Sequence, residues 1–125
     1  MIAQFTNTHG FEALSELNLD LNGWRCVPDI CFFPNSVTAL LEDIIWVKET
    51  PTLVVEIFSP SQTLETMTDK VDKLLAAGVP SVWLVMPAFR VISIFQKGAA
   101  PISATQGILT DPNVPVSVNV DAIFE

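Results

Sequence analysis

The sequence has no tyrosine, one histidine, two cysteines and only six lysines and arginines among its 125 residues. Each shortage removes a class of chemistry. The lone histidine, His9, sits in a Thr8-His9-Gly10 context. Without a partner it cannot support a His-based relay or a multi-histidine metal site, and it reads as a solvated residue near the N-terminus. Cys26 and Cys31 have no further Cys or His cluster beside them, which excludes a zinc site. Both fall on one predicted strand at an odd spacing that points them to opposite faces of the pleat. They are therefore expected as unpaired, buried hydrophobes. No apolar run approaches the ~20 residues needed to span a bilayer. Residues 1–10 lack the basic segment and apolar core of a signal peptide, so the expected location is cytoplasmic.

The shortage of positive charge has the largest consequence. Six basic residues stand against 14 acidic ones, for a net charge of −8. Non-specific nucleic-acid affinity comes from basic groups that displace counterions, so this balance opposes a phosphate backbone as partner.

Half of the residues are hydrophobic, which excludes general disorder. The length suits one domain over 1–125 with a single core. Neither an internal repeat nor a low-complexity segment is present. Within 11–21, Leu17, Leu19 and Leu21 alternate with polar residues, as in a half-buried strand. Asn22-Gly23 signals a tight hairpin turn, and the apolar run 24–33 predicts an antiparallel partner strand. The stretch 35–51 has no clean period and is compatible with a short helix or a loop. The β-branched run 53–58 predicts a strand buried on both faces.

A helix is expected over 63–77, with Leu64, Met67, Val71, Leu74 and Leu75 on its apolar side. Gly78 stands where a left-handed cap belongs, and Pro80 prevents continuation. Strands follow at 81–86 and 91–96. The strand–helix–strand order predicts that 53–58 and 81–86 run parallel in one sheet, joined by a crossover. Residues 97–125 are punctuated by Pro and Gly, with a short strand expected at 114–118 and a closing turn at 121–124.

Three charged residues sit in unsuitable surroundings. Asp29 follows Pro28 inside an otherwise apolar strand, and Glu56 interrupts Val54-Val55-Glu56-Ile57-Phe58. A buried carboxylate is costly unless it is paired, hydrogen-bonded or bound to a metal. Two of them on neighbouring strands make an oxygen-rich site suited to Mg²⁺ or Mn²⁺. The alternative is that each faces solvent or pairs with Arg25 or Lys48. Lys70 lies at the edge of the helix's apolar stripe and can lean toward the strand carrying Glu56, whereas Lys73 projects into solvent. Two carboxylates and a lysine match the needs of metal-assisted phosphodiester hydrolysis. Ser59 and Ser61 read as helix-entry capping residues, and Trp24, Trp46 and Trp83 as core residues before base-stacking ones.

Taken together, Val27-Pro28-Asp29-Ile30, Val54-Val55-Glu56-Ile57-Phe58-Ser59-Pro60-Ser61, Lys70, Ala77-Gly78-Val79-Pro80 and Trp83-Leu84-Val85 resemble the Uma2 (DUF820) group. The resemblance covers roughly residues 12–96. It implies the restriction-endonuclease-like PD-(D/E)XK fold, an α/β (α+β) architecture with a mixed central sheet and a crossover helix. It also implies a metal-dependent endonuclease acting on DNA. Asp29 and Glu56 carry over as ligands of Mg²⁺ or Mn²⁺, the Ile57 carbonyl as a further ligand, and Lys70 as the lysine that has moved from the strand to the helix.

Several positions depart from the group's pattern. Thr66 stands where an Asp is usual, Met86 replaces the Asp of W-L-V-D-P, and Leu74 replaces a tyrosine. The N-terminal region is short, and Glu12 or Glu16 is the candidate for its missing acidic residue. The alternative reading, drawn from acidity and the thinned motif, is a catalytically degenerate nuclease-fold protein acting as a binding or regulatory module. A short chain with two sheet edges is further expected to form a homodimer.

Overall fold

The computed structural model describes residues 4–6 and 8–125. Its strands are β1 (Phe5–Thr6), β2 (Phe11–Ser15), β3 (Leu19–Leu21), β4 (Trp24–Cys26), β5 (Ile30–Pro34), β6 (Leu53–Ile57), β7 (Ser81–Met86), β8 (Val91–Phe95), β9 (Ile102–Ala104), β10 (Ile108–Thr110) and β11 (Ser117–Asn119). The helices are α1 (Asn35–Thr38), α2 (Leu64–Ala76) and α3 (Val120–Ile123). Six strands form the central sheet in the order β2-β5-β6-β7-β8-β9. Within it β6 and β7 pair in parallel, and the other neighbours are antiparallel. This is the expected mixed sheet, with α2 as the crossover between its two parallel strands.

Side-chain alternation divides the core between the two faces of that sheet. Ile30, Phe32, Leu53, Val55, Trp83 and Ile94 point to one face, where β1, β11, β10 and α3 cover them with Phe5, Val118 and Phe124. Cys31, Phe33, Val54 and Val82 point to the other, beneath α2 and the β3–β4 hairpin, which contribute Val71, Leu74, Leu19 and Leu21. Covering both faces explains why β6 and β7 read as continuous apolar runs.

Helix α2 forms where its stripe and caps agree. Met67, Val71 and Leu74 are buried, each worth ~1.5–3 kcal/mol in transfer from water. Thr63 accepts the Thr66 N–H at 3.1 Å as N-cap. Gly78 takes φ +100°, and the Gly78 and Val79 N–H groups donate to the carbonyls of Leu75 and Leu74. The predicted stripe is corrected at its N-terminal end, since Leu64 is 59% exposed. The expected capping role of Ser59 and Ser61 is also corrected. Those two hydroxyls bond to each other at 2.8 Å, and Thr63 caps the helix.

The early hairpin differs more. Neither 11–21 nor 24–33 is one continuous strand. At Glu16 the backbone turns left-handed (φ +51°), and the second run breaks at 27–29. The outer ends pair as β3–β4 around the Asn22-Gly23 turn, and the inner ends as β2–β5 in the main sheet. The prediction that Cys26 and Cys31 occupy opposite faces fails with it. Both pack into the α2-side core, Cys31 fully buried and Cys26 half-buried, and both thiols are free. In the C-terminal region the strand expected at 114–118 lies at Ser117–Asn119, and the closing turn is the short helix α3. Strands β9 and β10, with three residues each, carried too little alternation to be predicted. No helix among the described residues is long and apolar enough to cross a membrane.

One polar group ties the C-terminal region to the sheet. Asp111, 4% exposed, accepts from Ser81 Oγ (3.2 Å), Trp83 Nε1 (2.8 Å) and the backbone N–H groups of Asn113 (2.8 Å) and Val114 (3.1 Å). An Asp111→Ala variant strands these donors and is expected to lose about 3 kcal/mol of stability in urea unfolding, with Asp111→Asn losing less. A loss below about 1 kcal/mol for the alanine variant would show that the network does not hold this region.

Candidate active site

The β5–β6 register brings the two suspect carboxylates together. Ile30 pairs with Val55, so one step outward Asp29 lies opposite Glu56. Asp29 sits just beyond the start of β5, after the break at Pro28, and its Oδ2 accepts the Ile57 N–H at 2.7 Å. Glu56 alternates with Val54 and so points to the face covered by α2. The parallel crossover returns α2 over that face, and Lys70 Nζ donates to Glu56 Oε2 at 3.0 Å.

Burial is uneven across the pair. The Glu56 side chain is 2% exposed and that of Lys70 is 25% exposed. Glu56 Oε1 is buried and has no hydrogen-bond partner among the described residues. A buried oxygen left in that state forfeits its hydration without replacement, in contrast to the fully satisfied Asp111. Burial pushes the Glu56 carboxyl up to about 7; the Lys70 ammonium draws it down, and the Asp29 charge adds to the rise. Cys26 and Cys31 flank this group. Burial is the main cause that raises both thiols, and the Glu56 charge adds to it, so both stay protonated.

Sequence reading thus located Asp29, Glu56 and Lys70, and the fold brings all three together. Neither proposed alternative partner is used. Arg25 pairs with Asp20 at 3.4 Å and stacks over Trp46 at 4.3 Å, and Lys48 is exposed. Lys73 pairs with Asp69 on the solvent side of α2, as expected. Trp83 is fully buried with its indole N–H held by Asp111, which withdraws it from any stacking role. Trp24 packs against the α2-side core.

At the departures from the family pattern, Thr66 is engaged in the N-cap of α2 and Leu74 is core. Of the two acidic residues on the first strand, Glu16 is the nearer to the site. Its N–H donates to the Asp29 carbonyl at 3.1 Å, while Glu12 is exposed on β2 opposite Phe33. His9 is exposed and borders Thr110 and Pro115. The approach of Cys26 to Glu56 had no sequence signal, because it depends on the strand break at 27–29. A groove of about 420 Å³ along the outer side of α2 is lined by Thr63, Thr66, Thr68, Glu65, Asp69 and Asp72. It does not include Asp29, Glu56 or Lys70, and its acidity opposes a phosphate ligand.

The raised Glu56 carboxyl makes a prediction about stability. Its proton is held in the fold after the unfolded chain has lost it, starting from an ordinary value of 4.5. The resulting contribution is complete below that value and is lost as pH rises through about 7. Wild type should therefore lose up to about 3 kcal/mol relative to Glu56→Gln between about pH 5 and about pH 8, read from urea midpoints. Parallel pH profiles for the two proteins would show that Glu56 ionises as an ordinary carboxyl.

Comparison with known proteins gives the family and the fold. The family model Uma2, described as "Putative restriction endonuclease", matches residues 2–120. Comparison with curated proteins returned no match. Among solved structures, the chain is similar to "a putative nuclease belonging to DUF820" from Anabaena variabilis ATCC 29413, with a TM-score of 0.80 at 20% identity. The alignment covers 92% of this chain and 68% of that one, and at this identity the likeness establishes the fold.

Proposed function

The chain belongs to the Uma2 family, and on that premise we propose that it is a metal-dependent endonuclease hydrolysing DNA phosphodiesters at Asp29, Glu56 and Lys70, within one domain. The observation that carries this reading is the buried, unpartnered Oε1 of Glu56 beside Asp29. A cation would satisfy that oxygen, which takes no donor from the described residues.

The donor set fits a hard divalent ion. Among the described residues no group of three or more His, Cys, Asp and Glu side chains is gathered for a metal. Mg²⁺ characteristically takes one or two carboxylates and completes its shell with water and substrate phosphate. Asp29, Glu56 and the Ile57 carbonyl are the residues that would hold Mg²⁺ or Mn²⁺. When bound, such an ion supplies Lewis-acid polarisation of the scissile phosphate and a more acidic water.

The protein's own groups do the rest. The Ile57 N–H fixes the Asp29 carboxylate at the end of β6. Burial beneath α2 keeps bulk water from Glu56, which strengthens every charge interaction there. The Lys70 ammonium, anchored on Glu56 Oε2, offsets negative charge developing on the phosphate and orients the attacking water. Pairing of two copies over the open edges β2 or β9 belongs to the same reading, and sedimentation velocity checks it.

The acid surface supports a second reading, a binding or regulatory module that keeps the scaffold. Three of the six basic residues are already committed to intramolecular ion pairs, Arg25 with Asp20, Lys70 with Glu56 and Lys73 with Asp69.

Calorimetric titration of Mn²⁺ and Mg²⁺ combined with plasmid cleavage separates the two. The nuclease reading expects Glu56→Ala to abolish metal binding and cleavage together. It expects Lys70→Met to keep metal binding while cleavage falls by about 10²–10⁴-fold. Metal binding absent from wild type would favour the regulatory module.

A further inference from the structure

The three cations outside these ion pairs are Lys48, Arg90 and Lys97, and their placement restricts what the site can hold. Glu56 lies near the C-terminal end of β6. Lys97 follows the end of the antiparallel β8 and so lies at the opposite end of the sheet, while Lys48 follows Val47, which pairs with Leu19 of the β3–β4 hairpin. Arg90 follows the turn at the end that holds Glu56, and it stands over the Phe124 ring at 5.8 Å, on the sheet face away from α2. A duplex is gripped by neutralising several phosphates on both strands. The groups for that are missing here.

Three exposed apolar side chains lie on segments that enter or leave the Glu56 end of the sheet. Val27 immediately precedes Pro28 and Asp29 and is 45% exposed. Leu64, 59% exposed, is the first residue of α2, reached from the end of β6 through 58–63. Phe89, 73% exposed, lies in the 3-10 turn Pro87–Phe89 that leaves β7. That strand runs parallel to β6 with Leu84 beside Glu56 and Val85 beside Ile57, and the Phe58 N–H donates to the Val85 carbonyl. The turn carrying Phe89 therefore stands at the Asp29–Glu56 end of the sheet. It closes on Arg90, which caps the turn in the left-handed conformation, φ +51°.

We propose that the substrate class is single-stranded nucleic acid, with a base next to the scissile phosphate stacked on Phe89 and flanked by the exposed apolar side chains of Val27 and Leu64. This rests on the endonuclease reading and adds the form of its substrate. Base stacking contributes affinity that does not depend on charge and accepts any base, and it is the share of binding open to a protein of net charge −8.

The test is fluorescence anisotropy in EDTA, with a labelled oligothymidylate and a labelled hairpin duplex of equal length, across a salt series. Wild type should bind the single strand at least about tenfold more tightly than the duplex, with the salt slope of one or two phosphates, about −0.7 each. Phe89→Ala should weaken single-strand binding about tenfold or more while Phe89→Trp retains it; Phe89 is exposed, so neither change should shift the unfolding midpoint. Equal or tighter duplex binding, a steep salt slope, an unaffected Phe89→Ala variant, or no binding of either probe would each overturn the proposal. The metal-free format keeps the two readings apart. Single strands held through Phe89 but never cut in Mn²⁺ would sink the endonuclease reading alone. Metal-dependent cutting of duplex at the same rate by Phe89→Ala would sink this inference alone.

Discussion

The burial of one carboxylate beneath a helix organises the rest of this structure. Glu56 sits at 2% exposure, and Lys70 reaches it from α2 at 3.0 Å. That approach requires the crossover which makes β6 and β7 parallel, and the antiparallel β5–β6 register puts Asp29 at the same spot. An ion pair so placed is weak support for stability, since desolvation offsets much of the Coulombic attraction. The two buried carboxylates make the point by contrast. Asp111 accepts four hydrogen bonds and fastens the C-terminal region. Glu56 Oε1 takes no donor from the described residues, and the proposed metal role rests on that difference.

Charge and shape at the open end of the sheet are consistent with one another. The cations are few, half of them are locked in ion pairs, and Lys97 is at the far end. The turn at the Glu56 end exposes Phe89, on which the stacking proposal rests, and the groove on the outer side of α2 is lined by Glu65, Asp69 and Asp72.

Much of this was legible in the residues. Glu56 stood out because a charge inside a β-branched run contradicts its surroundings, and Lys70 because it borders the apolar stripe of a well-capped helix. Both signals are local, and the fold preserved them. The mixed sheet followed from the strand–helix–strand order. Other features depended on contacts distant in sequence. The break at 27–29 looks like strand in a run of apolar residues, yet it carries Asp29 into the site and turns Cys26 to the same side as Cys31. Asp111 sits in a Pro-containing turn with no periodicity, and its partners Ser81 and Trp83 are about thirty residues earlier. Leu64 continued the stripe by spacing but lies beyond the sheet that would have buried it.

The most direct test of the central claim is a crystal grown with Mn²⁺ and measured at a wavelength where manganese scatters anomalously. The account predicts an anomalous peak between the Glu56 and Asp29 carboxylates, with Glu56 Oε1 among its ligands and Lys70 still on the other oxygen. No peak there, with Oε1 satisfied by a protein donor or an ordinary water, would contradict it.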